Sequence, residues 1–129
     1  MNQPNTHLGI DPALCGTPVE LEAGRAVVQL TATARMGTDS HGLVHGGFVF
    51  GLADHAAMLA VNHPYVVLGS AETRFVAPVR VGDEVIASAT RVEEKGRKHV
   101  LQVEVRAGES VVMTGTLTAF VLDGHVLGG

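Results

Sequence analysis

One carboxylate stands in the middle of the apolar stretch LVHGGFVFGLADHAAMLA, residues 43–60. Burying an isolated carboxylate is costly unless it is paired, or unless its pKa rises until it is neutral. Asp54 therefore has two readings. In one it binds an amide, a histidine or water and only holds a neighbour in place. In the other it is an acid/base group or nucleophile in a dry pocket, where a raised carboxylate pKa becomes useful.

Gly46 and Gly47 open the same stretch, directly after His45. Glycine costs roughly 1 kcal/mol against alanine inside a helix. At a helix start it lets a ligand come close to backbone N–H groups that have no intrahelical partner. Two such amides suit a carbonyl oxygen that becomes an oxyanion; tight helix–sheet packing is the plainer reading. Eight residues separate Gly46 from Asp54, about 12 Å along a helix. One carbonyl cannot touch both on the same helix. If both act together, the aspartate comes from a second copy lying antiparallel across a twofold axis, which implies a homodimer.

Neighbouring polar residues are weighed in the same way. His45 suits helix entry and loop orientation. His41 and His45 have the i, i+4 spacing of metal ligands, but Gly42 and a loop separate them and no further ligands follow, so no metal site is expected. Asp39 is either a second carboxylate near the site or a turn-forming residue in GTDS. His55 is expected to be packed and hydrogen-bonded. Ser70, Glu72 and Arg74 share one strand face, expected to meet solvent. Lys95, Arg97, Lys98 and His99 gather at a hairpin, where Arg97 could receive the phosphates of an anionic substrate.

The elements that must position these residues are legible in outline. Residues 1–18, with Pro4, Pro12 and Pro18, read as irregular with one short helical turn. RAVVQLTATAR, residues 25–35, alternates as a half-buried strand. Residues 46–62 read as a helix apolar nearly all round, hence buried on every side. Four further strands follow, within residues 65–78, 83–94, 99–107 and 111–122, expected as an antiparallel meander. The expected class is α+β, a curved antiparallel sheet wrapped round one long central helix, in a single domain over residues 1–129.

Bulk properties bound the function. The 129 residues carry a formal net charge of -4, and no basic face for nucleic acid is visible. With Cys15 the one cysteine, no intramolecular disulfide forms, which fits a reducing cytoplasm. No signal peptide or membrane span is expected.

VHGGFVFGLAD, residues 44–54, resembles the hot-dog-fold acyl-CoA thioesterases of the phenylacetyl-CoA thioesterase-like subfamily, as does RFVAPVRVGDEVIASATRVEEKGRKHVLQVEV, residues 74–105. The resemblance implies that Asp54 is the general base or nucleophile. It implies that Gly46, with Gly47, polarises the thioester carbonyl while His45 orients the loop. CoA would lie along the dimer interface, with its phosphates near Arg97. In one departure, Asp39 stands where that family commonly has asparagine, six residues before the histidine.

The expectation is thus a cytoplasmic homodimer, or a dimer of dimers, that hydrolyses an aryl or short-to-medium acyl-CoA. Phe48, Phe50, Leu52 and Met58 are expected to line its pocket, and the reaction needs no cofactor. A non-catalytic acyl-CoA sensor and a hot-dog hydratase or dehydratase are the alternatives.

Overall fold

The apolar run forms the helix that its composition predicts. In the computed structural model, which describes residues 1–128, helix α2 spans Gly46–Val61. Val49, Leu52, Ala53, Ala56, Ala57, Leu59 and Ala60 are buried on one broad side of it, while Gly47, Phe50, Gly51 and Asp54 opposite are exposed or half-buried. The sheet covers one side only, so the helix is not buried on every side as its apolar composition suggests. Asn62 ends it in the left-handed conformation, φ 55°, and its N–H donates to the Met58 carbonyl. That arrangement caps an otherwise unsatisfied carbonyl just before Pro64.

Around this helix runs a six-stranded, wholly antiparallel curved sheet. Its strands are β1 (Thr17–Glu22), β2 (Arg25–Thr31), β3 (Val66–Phe75), β4 (Glu84–Lys95), β5 (Lys98–Ala107) and β6 (Ser110–Val121), in the order β1-β2-β4-β5-β6-β3. On β5 the alternation reads directly as an inside and an outside. Leu101, Val103 and Val105 are buried toward the helix, while Gln102, Glu104 and Arg106 are exposed. One core joins these residues to Leu21, Val28, Leu30, Leu52, Met58, Leu59, Met113 and Leu117.

The structure corrects three further expectations. First, residues 17–22 are a strand rather than part of an irregular segment that runs to residue 18. Only Leu21 is buried there, and a bulge lies between Pro18 and Glu20, so this edge strand has no clean alternation. The expected single helical turn is present as α1, Pro12–Cys15, with the Asp11 carboxylate accepting from the Ala13 N–H.

Second, β2 ends at Thr31 instead of Arg35. Its partner strand begins at Glu84, opposite Thr31, so no ladder remains to extend, and residues 34–36 turn as a 3₁₀ helix. Third, β3 is not a hairpin neighbour of β4. Only β4, β5 and β6 form a meander, and β3 pairs with β6 at the far edge. Residues 76–83 carry the chain from one edge to the middle of the sheet, held on the way by the Val44 N–H to Val79 carbonyl bond. Both β1 and β3 are left as edges.

Candidate active site

The loop before α2 is fixed by backbone bonds. The His45 N–H donates to the Met36 carbonyl, the Thr38 N–H to Leu43, and the Val81 N–H to Gly42. Asp39 belongs to this scaffold. It is exposed, and its Oδ1 accepts from the N–H groups of His41 (3.0 Å) and Leu43 (3.2 Å). That is the turn-forming role, and asparagine could fill it through the same oxygen.

His45 caps the helix with its own ring. Its Nδ1 accepts from the Gly47 N–H at 2.8 Å, which leaves the ring proton on Nε2. A Cβ on Gly47 would stand 2.9 Å from that nitrogen. The second glycine is therefore explained locally, and its amide is already engaged. The Gly46 N–H is different: among the described residues it donates to no backbone or side-chain acceptor. It opens beside a groove of about 380 Å³ lined by Leu43, Val44, Val49, Phe75, Val76 and Val79, among others. A Cβ on Gly46 would meet the Phe75 ring at 3.5 Å, an ordinary contact.

Asp54 lies two turns further along. Its Oδ1 is shielded from solvent and has no hydrogen-bond partner. Burial pushes its carboxyl above the usual carboxylate value, opposed more weakly by the neighbouring His55. Among the described residues nothing satisfies that oxygen, so the amide-binding reading of this aspartate finds no amide there.

His55 is packed and bonded, as expected. It is buried, its Nδ1 pairs with the Cys15 carbonyl at 3.0 Å, and its ring stacks on His7 with centroids 6.0 Å apart. Desolvation holds both imidazoles below the usual histidine value. Burial pushes the Cys15 thiol up, helped by Asp11 and Asp54.

The expected pocket residues divide. Phe48 and Phe50 are half-buried, and Phe48 meets His45 edge-on with centroids 6.2 Å apart. Leu52 and Met58 lie in the core, at 0% and 1% exposure, so within one chain they line no open groove. Arg97 is exposed and ion-paired with Asp123. Its carbonyl accepts from Val121, and Leu122 in turn bonds to Tyr65 just beyond the end of α2. Within one chain, Arg97 therefore sits at the opposite end of α2 from Gly46. His41 is exposed in its turn, and among the described residues no three His, Cys, Asp or Glu side chains are grouped to hold a metal. Ser70, Glu72 and Arg74 are exposed, and the last two line the polar outer face of the sheet.

Two features of this region escaped the sequence reading. One is the N-terminal segment, which lies against the C-terminal half of α2. The Asn5 N–H donates to Asn62 Oδ1, and Asn62 Nδ2 donates to the Gln3 carbonyl. Such long-range ties leave no local pattern. The other is Gly51, whose sequence context is that of any helix glycine.

Comparison with known proteins agrees with this architecture. Residues 41–114 match the family model of the thioesterase superfamily. An uncharacterized protein from Pyrococcus horikoshii superposes with a TM-score of 0.96 at 48% identity, covering 98% of this chain and 97% of that one. A mutant of the phenylacetic acid degradation protein PaaI from Thermus thermophilus superposes at 0.78 with 35% identity, over 87% of this chain and 100% of that one. A methylthioribose-1-phosphate isomerase of Aquifex aeolicus is 50% identical over 92% of this chain, which spans only 26% of that protein. The transcription factor FapR of Caldanaerobacter subterraneus is 25% identical over 84% of this chain, which spans 54% of it. The chain belongs to the thioesterase superfamily and has its hot-dog fold.

Proposed function

We propose that this chain hydrolyses acyl-CoA thioesters at sites shared between two copies of itself, with Asp54 from one copy and the Gly46 N–H from the other. The observation that carries this reading is the pair of unsatisfied groups on one helix, a shielded carboxylate oxygen and a free N-terminal amide. They stand about 12 Å apart along α2 and are complementary to one another's needs only across a twofold axis. At the end of β3, Phe75 and the following Val76, 54% and 55% exposed, line the groove beside Gly46 and supply apolar surface for such a partner.

In the reaction, the thioester oxygen takes the Gly46 N–H as charge develops on it, aided by the positive end of α2. Asp54 either takes a proton from an attacking water or adds to the carbonyl itself. The C–S bond then breaks. In the first route the departing sulfur takes the proton that Asp54 received from water. In the second the thiolate is protonated by water, while a further water cleaves the acyl–Asp54 anhydride to the free acid and restores the carboxylate. A carboxyl raised by burial is a stronger base than one in water, which suits the first role. Only the Gly46 amide is assigned to the oxyanion, because Gly47 already serves His45.

The similarity to FapR favours a second reading, an acyl-CoA sensor that binds without cleavage. Among the described residues no helix is long and apolar enough to cross a membrane. Free-thiol release from a panel of aryl and straight-chain acyl-CoAs separates the two readings. The hydrolase predicts release by the wild type and loss of two or more orders of magnitude in Asp54→Asn. Tight binding with no release from any thioester would replace it with the sensor.

A further inference from the structure

Three glycines lie in α2, and two have local explanations. Gly47 makes room for the His45 ring, and Gly46 opens the helix with its amide free beside the groove at Phe75. Gly51 has neither. It lies inside the helix with no left-handed φ, and a Cβ built there meets nothing within 4 Å. No backbone conformation and no neighbour among the described residues demands a glycine, while alanine would favour the helix.

Its position is informative. Gly51 lies three residues before Asp54 and four after Gly47, so all three share one face of the helix. The shielded and unpartnered Oδ1 belongs to that same face. Beyond Asp54, toward the C-terminus, this face closes. Met58, four residues on, is only 1% exposed, and the N-terminal segment is tied across the helix end through Asn5, Asn62 and Gln3. Cys15 and α1 lie on the flank at His55. A group held at Asp54 can extend along the face only back over Gly51, beside the half-buried Phe50.

We infer that Gly51 is the specificity-determining residue of the site, its missing side chain giving the passage by which the acyl group runs past Asp54. The inference rests on the proposed thioester site. The acyl class it admits is one bulky close to the carbonyl, an aryl or branched group, for which the width of the passage matters most. Phe50, next in the chain, offers the apolar wall.

The test uses Gly51→Ala and Gly51→Val in the full chain, with acetyl-CoA and benzoyl-CoA as probes. Each is measured by kcat/KM for thiol release and by equilibrium binding. Gly51→Ala should raise the melting temperature, which guards against reading a folding defect as a specificity change. Gly51→Val should lower the benzoyl-to-acetyl ratio tenfold or more, in kcat/KM and in binding alike. A ratio within twofold of wild type in both measurements overturns the inference. So does dissociation of the Gly51→Val dimer in light scattering, which would assign the space to a partner chain. Absence of thiol release by wild type sinks the hydrolase reading alone, because the binding ratio still decides the role of Gly51.

Discussion

The Gly47 N–H donates to Nδ1 of His45 over 2.8 Å, and a Cβ on Gly47 would stand 2.9 Å from that same nitrogen. The two residues define each other. The ring folds back onto its own helix because the position two residues on has no side chain, and the amide it binds is lost to any ligand. Of the glycine pair, Gly47 is thus the structural one, and the free amide is that of Gly46.

His45→Ala should therefore cost about 1 kcal/mol of stability, the usual cost of losing a helix cap. Gly47→Ala should cost at least as much, because the ring must leave its place. Urea denaturation at fixed protein concentration reads both. A Gly47→Ala protein as stable as wild type would mean that the ring does not cap the helix.

The raised carboxyl of Asp54 has a signed consequence. Its folded-state pKa lies above the unfolded one, so ionisation penalises the fold. The penalty is absent below the unfolded carboxylate value, near 4, and complete above the folded one. Asp54→Asn should thus be more stable than wild type at pH 7, with the difference shrinking toward pH 4. Denaturation across that range would count against a desolvated carboxylate if the gap were constant or reversed.

For His7 and His55 the shift runs the other way, both lowered by desolvation. The unfolded chain gains protons first as pH falls through about 6.5, so stability is lost from there down to the folded values. His7→Gln should flatten this acid limb and loosen the N-terminal segment, which hydrogen exchange at Asn5 and Asn62 would register. An unchanged limb would place the acid sensitivity elsewhere.

Much of this arrangement is legible in the chain itself. The helix reads from its long, largely apolar run and from Pro64, and β4 to β6 read from alternation and glycine turns. β1 does not, because one buried leucine on a bulged edge strand gives no period. The partner of β3 does not, because register across an edge depends on a connection that no local pattern encodes. For Asp54, the sequence poses the question through its apolar surroundings. Only the folded chain shows that Oδ1 lacks a partner and that Met58, four residues on, is closed off.

Gly115 tests how β3 is held. A Cβ there would meet Thr73 Cγ2 at 2.8 Å and the Glu72 carbonyl at 2.9 Å, so the β3 backbone itself must move. Gly115→Ala should cost about 1–3 kcal/mol and weaken self-association through that edge. Light scattering against concentration reads the second effect. Unaltered association despite the lost stability would place the dimer contact away from β3.

The central claim is that Asp54 and Gly46 act from different copies, and subunit mixing tests it. Gly46→Pro removes the N–H in question at the first helical position, where proline is well tolerated. His45 before it is already extended, with ψ 130°, as a residue preceding proline requires. Asp54→Asn and Gly46→Pro dimers should each be inactive, and a random mixture of their subunits should regain about a quarter of wild-type thiol release, because half the dimers then hold one intact site. A mixture that exchanges subunits and stays as inactive as its parents would contradict the account.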